Sequence, residues 1–371
     1  MDVYLGAASA ICPLGHTLED IFTEMTMGQT GISHVPDAFG LGKDEYLGLI
    51  DDRLLQVNES SRLRSMIATT MQHTINGLTK PDVLRSQRTH VILCTTKGEI
   101  DKLETKMYHD AQLFHLAAYV RDKYELAHQP TIISSACISG LLGIINAARM
   151  IKTGHAEHVL VIGADLITKF TLSGFISFYA TATSASKPYD KTRDGINLGE
   201  AAASAVLSTD SNIFKAPLGK YLGGASANDA NHISGPSRTG EGLYRSINRA
   251  LIEANLNGNA VDFISAHGTA TAFNDEMEAI ALDRLEMNDI PLNSMKGYFG
   301  HTLGAAGLLE SLIGLQSMKN KTLLQSLGYQ NAGVSKRISV LQNNQQGKYK
   351  TMLKTSSGFG GSNAAAIFEV V

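Results

Sequence analysis

A chain of 371 residues, 43% of them hydrophobic, can bury a sizeable core and suits two fused domains or one large duplicated one. A formal net charge of −3, charged residues at only 18% and no long run of Lys or Arg exclude an extended nucleic-acid surface and point to a small-molecule or protein-bound substrate. Cys12, Cys94 and Cys137 share no CxxC spacing and leave one unpaired, which argues for a reducing, cytoplasmic compartment and against a disulfide framework.

The apolar opening Met1–Pro13 carries no basic leader and contains Gly6, so it reads as a first strand and not a signal peptide. No apolar run reaches the roughly 18 residues of a membrane span. Cys12 and Cys94 read as buried structural thiols. His158–Gly163 and Val261–Ser265 look like buried strands, helical patterns lie between them, and that alternation predicts an α/β fold.

Two internal repeats refine the picture. Tyr4-Leu-Gly-Ala-Ala-Ser-Ala10 recurs as Tyr221-Leu-Gly-Gly-Ala-Ser-Ala227, displaced by 217 residues, and Ser139-Gly-Leu-Leu142 recurs as Ala306-Gly-Leu-Leu309, displaced by 167. They predict two similar halves, 1–214 and 215–371, the first about 50 residues longer. The insertion is expected between about 98 and 128, with 165–195 as the second candidate.

Four segments carry chemistry. Pro130–Gly140 is a β-branched strand running through small residues into Cys137 and a helix reaching about Thr153, which places the thiol where a helix N-terminus stabilises a thiolate. Ile264–Thr271 ends a strand in His267 before the acidic helix start Asn274-Asp275-Glu276. In Lys296–Glu310 a lysine precedes His301 by five residues, and the histidine opens a glycine-bounded helix. Ser356–Asn363 is a Gly-rich turn after a strand, able to aim N–H groups at an anion but without the Lys-Ser/Thr of a phosphate loop.

In this order the four segments resemble the β-ketoacyl-acyl carrier protein synthases of the elongating, Cys-His-His type, within the thiolase-like superfamily. Lys187–Asp190, Arg193–Gly195 and Leu198–Glu200 add to the likeness. The resemblance implies a duplicated, five-layered αβαβα fold and decarboxylative Claisen condensation with malonyl-acyl carrier protein. It implies Cys137 as acyl-accepting nucleophile, His267 and His301 at the thioester or malonyl carbonyl, and Lys296 supporting the histidines with Glu310 as its acidic partner. The Cys137 and Phe359 amides would form an oxyanion hole, with Phe359 also a gating aromatic. Thr269 and Thr271 would bind a phosphopantetheine arm, and Asp275 would be a structural acid. No cofactor is implied beyond the arm that the carrier brings. The partners implied are the carrier protein and a second subunit, identical or related.

Decarboxylation generates an enolate, so two neutral imidazoles and preset amides suit that chemistry independently of the likeness. Ser357 stands where many relatives carry a bulky aromatic and Ala201 where glycine is usual, departures that point to a specialised acyl chain. Two other readings stay open: a non-catalytic chain-length-factor subunit, and a metal site on Cys137, His267 and His301. An acidic carrier calls for a basic patch, with Arg62 and Arg64 as candidates.

Overall fold

The computed structural model describes residues 1–229 and 235–371. The first half contains strands β1 (Val3–Ile11), β2 (Ser33–Val35), β3 (Glu45–Leu47), β4 (Thr89–Cys94), β5 (Thr131–Ile133), β6 (His158–Asp165) and β7 (Ala201–Ser208). Its helices are α1 (Leu18–Thr26), α2 (Arg62–Asn76), α3 (Leu113–Lys123), α4 (Ser139–Lys152) and α5 (Lys169–Ser177). The second half contains β8 (Pro217–Asn228), β9 (Phe263–Ser265), β10 (Leu292–Asn293), β11 (Thr322–Leu323), β12 (Gln345–Gln346), β13 (Thr351–Gly358) and β14 (Ser362–Val370). Its helices are α6 (Glu241–Ala254), α7 (Ala272–Arg284), α8 (Lys296–Phe299) and α9 (Ala306–Lys319).

Strand order repeats between the halves: β5-β4-β6-β7-β1 in the first, β10-β9-β13-β14-β8 in the second. Pairing repeats too, parallel around β4 and β9 and antiparallel around β7 and β14. The Tyr-Leu-Gly repeats occupy equivalent strands, β1 and β8. These pair antiparallel with Val3 opposite Tyr221, which merges both halves into one ten-stranded sheet.

Helices fill three layers around the sheet. The outer helix α2 starts where the Ser61 hydroxyl accepts the Arg64 N–H, and it buries Leu63, Met66, Ile67 and Met71 against β1 and β7. On the opposite outer face α6 buries Leu243, Ile247, Ala250 and Leu251 at helical spacing. Between them α4 and α9 pack on each other; α9 is buried on all sides except at Gln316 and Lys319. The arrangement is the α-β-α-β-α stack expected. Each fully buried Leu or Ile there stabilises by roughly 1.5–3 kcal/mol.

The α4–α9 crossing depends on two glycines 167 residues apart. A Cβ on Gly140 would lie 2.7 Å from the Leu308 backbone nitrogen, and one on Gly307 would lie 2.5 Å from that of Leu141. Only bare backbone fits at either place, and the contacts are reciprocal.

The extra length of the first half departs from the primary expectation. It falls chiefly at 12–61, between β1 and α2, where the second half has 229–240, and at 166–200, where the second half has only the turn 359–361. The second position agrees with the second candidate, 165–195. Segment 98–128 instead supplies α3, whose Leu116, Ala117 and Val120 are core residues, and α3 links β4 to β5 as α7 links β9 to β10. Polarity there marks the outer face of a helix, not an insertion.

Candidate active site

Cys137 lies in a tight elbow between β5 and α4. Ala136 just before it takes a left-handed φ of 46°, a conformation costing a residue with a Cβ about 1–3 kcal/mol. Ser139 compensates: its hydroxyl donates to the Ala136 carbonyl at 2.7 Å and accepts the Ser135 N–H at 2.8 Å. The tip of β13 packs on the same elbow. The Ser356 hydroxyl donates to the Cys137 carbonyl at 3.2 Å, and a Cβ on Gly358 would come within 3.1 Å of the Cys137 nitrogen.

His267 ends β9. Its N–H donates to Glu278 at 2.9 Å and to the Thr355 hydroxyl at 3.1 Å, and its carbonyl accepts from Lys296 at 2.6 Å. His301 follows α8, with its N–H on the Asn197 carbonyl at 2.7 Å. Its Nδ1 accepts the Leu303 N–H at 3.0 Å, so the ring proton of the neutral form sits on Nε2. That Nε2 and the His267 Nδ1 are buried without a hydrogen-bond partner among the described residues. Orphaned buried polar atoms mark places where another molecule is expected to complete the set.

The three reactive groups converge. Atoms of Cys137, His267 and His301 lie within 4.8 Å of one another, and the imidazole centroids are 5.2 Å apart at 83°. All three line a cavity of about 470 Å³ together with Thr269, Thr271 and Phe359. The Thr269 and Thr271 hydroxyls are hydrogen-bonded at 2.7 Å. The half-exposed Phe359 ring lies between Phe175 and Phe178, 5.6 Å from each, stacked on the first and edge-on to the second. The 166–200 insertion thus furnishes one wall.

Electrostatics departs from expectation at the sulfur. Burial pushes the Cys137 thiol up to about 11, more than the Lys296 and Lys97 cations lower it. In so dry a site burial outweighs neighbouring positive charge, so a thiolate needs a base to take its proton. Burial, followed by Lys296, holds both imidazoles well below the usual histidine value, His301 and Lys354 adding to this at His267 and Lys354 at His301. They are neutral at physiological pH.

Lys296 and Glu310 sit behind the histidines, both fully buried, in a 2.8 Å ion pair. Asp275 holds two loops together: it accepts the Thr269 N–H at 2.9 Å and the Tyr189 N–H at 2.7 Å, and lies 3.6 Å from Arg193. Burial lifts its carboxyl to about 7. Lys187–Asp190 and Arg193–Gly195 are thereby tied to the His267 loop.

Three residues here escaped the sequence reading. Lys354 meets the second oxygen of Glu310 at 2.5 Å. Glu278 accepts the Gly268 N–H at 2.6 Å and the Tyr189 hydroxyl at 2.9 Å besides His267. Asp165 accepts from the Thr95 hydroxyl at 2.8 Å and from the Gly304 N–H at 2.7 Å, which joins β6 to the turn after His301. A lone lysine directly after Met352-Leu353 in β13, and Asp275 and Glu278 at i,i+3 on one helix face, were the available signals. Arg62 and Arg64 do not form a basic patch. Arg62 pairs with Asp52 and, at 2.8 Å, with Glu200; Arg64 pairs with Glu99 at 2.8 Å. Cys12 and Cys94 are buried and free, as expected.

Fold and site together bring a buried thiol and two imidazoles onto one cavity of a duplicated α/β framework. Comparison with known proteins assigns the family: the beta-ketoacyl synthase N-terminal domain matches residues 2–212 and its C-terminal domain residues 218–330. The chain belongs to the β-ketoacyl synthase family. It is 32% identical over 276 residues to 3-oxoacyl-[acyl-carrier-protein] synthase 2 of Rhizobium meliloti, a stretch covering 69% of this chain and 64% of that synthase. Among solved structures, a ketosynthase from Xenorhabdus doucetiae in complex with its chain length factor superposes with a TM-score of 0.89 at 24% identity, covering 100% of this chain and 98% of that one. A chain of the complex described as a type II PKS acyl-carrier protein with its ketosynthase bound to the hexaketide gives a TM-score of 0.88 at 21% identity, covering 100% of this chain and 99% of that one. Among the described residues no helix is long and apolar enough to cross a membrane.

Proposed function

We propose that this protein is a β-ketoacyl-acyl carrier protein synthase that extends an acyl chain held on Cys137 by decarboxylative condensation with a malonyl thioester. The observation that carries this reading is the convergence of a nucleophilic thiol and two neutral imidazoles, each with an unpartnered buried nitrogen, on one cavity.

The chemistry follows in two stages. Cys137 Sγ, its proton taken up by an imidazole, attacks the carbonyl of a phosphopantetheine thioester; the oxyanion is held by the Cys137 and Phe359 amides, and the carrier thiol leaves with a proton. The malonyl thioester then enters past Thr269 and Thr271. Loss of carbon dioxide leaves an enolate whose oxygen receives hydrogen bonds from His267 and His301. Its carbon attacks the acyl-Cys137 carbonyl, and the sulfur departs as a thiolate that takes up one proton from solvent to regenerate the resting thiol. Lys296 with Glu310, and Asp275, hold the histidine loops.

The partners in this reading are an acyl carrier protein and a second subunit, identical or related, and the setting is cytoplasmic. Ser357 lines the cavity with Phe359 and donates to Asn363 at 2.8 Å, a small side chain where many relatives carry a bulky aromatic, which supports a specialised acyl chain. Incubating the protein with acyl-carrier thioesters of graded length and weighing it by mass spectrometry tests nucleophile and preference together; no adduct on Cys137 with any of them defeats the proposal. A chain-length-factor role is disfavoured because thiol, histidines and lysine are all in place. A metal on the Cys-His-His set is disfavoured by the buried Lys296 and Lys354 ammoniums behind it; elemental analysis of purified protein decides that point.

A further inference from the structure

Lys354 is fully buried in β13, and all three of its ammonium protons have an acceptor: Glu310 at 2.5 Å and the carbonyls of Ser265 and Ala266, each at 3.2 Å. The next carbonyl along, that of His267, is taken by Lys296, whose ammonium also reaches the other oxygen of Glu310. Three consecutive carbonyls at the end of β9 are therefore held by two cations that share one carboxylate. The cluster carries one net positive charge in a fully buried region, although the pair Lys296–Glu310 alone would be neutral. A surplus buried charge is costly, and its retention requires a reason.

We propose that Lys354 is a positioning residue for decarboxylation: it fixes the strand end that carries His267 and supplies the surplus positive charge that both imidazoles face. The inference rests on the condensing role proposed above. Decarboxylation builds negative charge on the enolate oxygen, and a fixed cation behind the two donors stabilises that charge without moving. Acylation of Cys137 asks an imidazole only to take up the thiol proton and holds its oxyanion on the amides of the elbow and the Gly-rich turn, so the two half-reactions are affected unequally. The charged and titratable groups facing the histidines are Lys296 from α8, Lys354 from β13, Cys137 from the elbow, Glu278 and Asp275 from α7, and Glu310 from α9. Of these Lys354 can be removed while the Lys296–Glu310 pair stays balanced.

The experiment compares the full-length parent with Lys354→Met and Lys354→Arg. For each protein, acylation of Cys137 by an acyl-carrier thioester and decarboxylation of the malonyl carrier are measured separately, and the His267 and His301 rings are titrated by NMR. Expected for Lys354→Met are acylation within about twofold of the parent, decarboxylation reduced about tenfold, and imidazole midpoints raised by about one pH unit, a tenfold gain in proton affinity. Lys354→Arg keeps the charge and the parent midpoints. Unchanged midpoints in Lys354→Met, equal loss of both half-reactions, or midpoints in Lys354→Arg as high as in Lys354→Met overturn the inference. Should Lys354→Met fail to fold, the Lys354→Arg midpoints decide. A parent that decarboxylates nothing refutes the condensing role, whereas the ring titrations still judge Lys354.

Discussion

The rings of His267 and His301 face each other edge-on, 5.2 Å apart, though 34 positions separate them in the chain and different loops carry them. The geometry leaves a Nε2–H of known tautomer, that of His301, pointing into the cavity beside the sulfur. His301→Ala is expected to lower malonyl decarboxylation about 10²–10³-fold, as loss of one oxyanion donor does, and to leave acylation of Cys137 far less affected. Separate rate measurements on the two half-reactions check this.

Cys137→Ala removes the only sulfur in the cavity lining among the described residues. Overall condensation is expected to fall at least ~10³-fold and the acyl adduct to vanish from the mass spectrum. Turnover equal to that of the parent would mean that the acyl group rests elsewhere.

Acid should destabilise the protein through the two histidines. Their folded-state values lie well below the unfolded value of 6.5, so stability is intact above that pH and is lost as pH falls below it toward the folded values, because the unfolded chain binds protons the native site refuses. The loss approaches about 1.4 kcal/mol per pH unit for each imidazole. Urea titrations between pH 7 and 5 measure it, and a His267→Gln, His301→Gln protein should show a shallower slope.

Glu278 serves the backbone of His267 and Gly268 as well as two side-chain hydroxyls. Glu278→Ala strands these buried donors and is expected to cost about 2–4 kcal/mol in urea-induced unfolding. Wild-type stability in this variant would show that other acceptors had replaced the carboxylate.

Arg62→Ala and Arg64→Ala are expected to change KM for an acyl-carrier substrate by less than about twofold, because their charge is already spent on Glu200, Asp52 and Glu99. A KM increase of tenfold or more in steady-state assays would return them to the docking surface.

Much of this site was legible in the sequence because its residues lie at element ends, which short motifs mark well. Cys137 before a helix, His267 after a strand and His301 before a helix are of this kind. The repeats around Tyr4 and Tyr221 likewise reported equivalent strands, since the same backbone approach selects the same small residues. Position 98–128 misled because a surface helix and an insertion are equally polar. The direction of the Cys137 shift was illegible: it depends on how much water the rest of the fold excludes. Lys354 was hidden for a related reason, since a lysine inside a strand usually reaches solvent, and only the tertiary placement of Glu310 gives it a reason to be inside.

The reciprocal seating of Gly140 on Leu308 and Gly307 on Leu141 turns the spacing between the halves into a tolerance of the reaction itself. One helix starts just after Cys137 and the other just after His301. An added methyl at either glycine would wedge the helices apart and lengthen the path a proton travels from sulfur to ring. Precision at the reacting atoms is thus set by two residues that carry no chemistry.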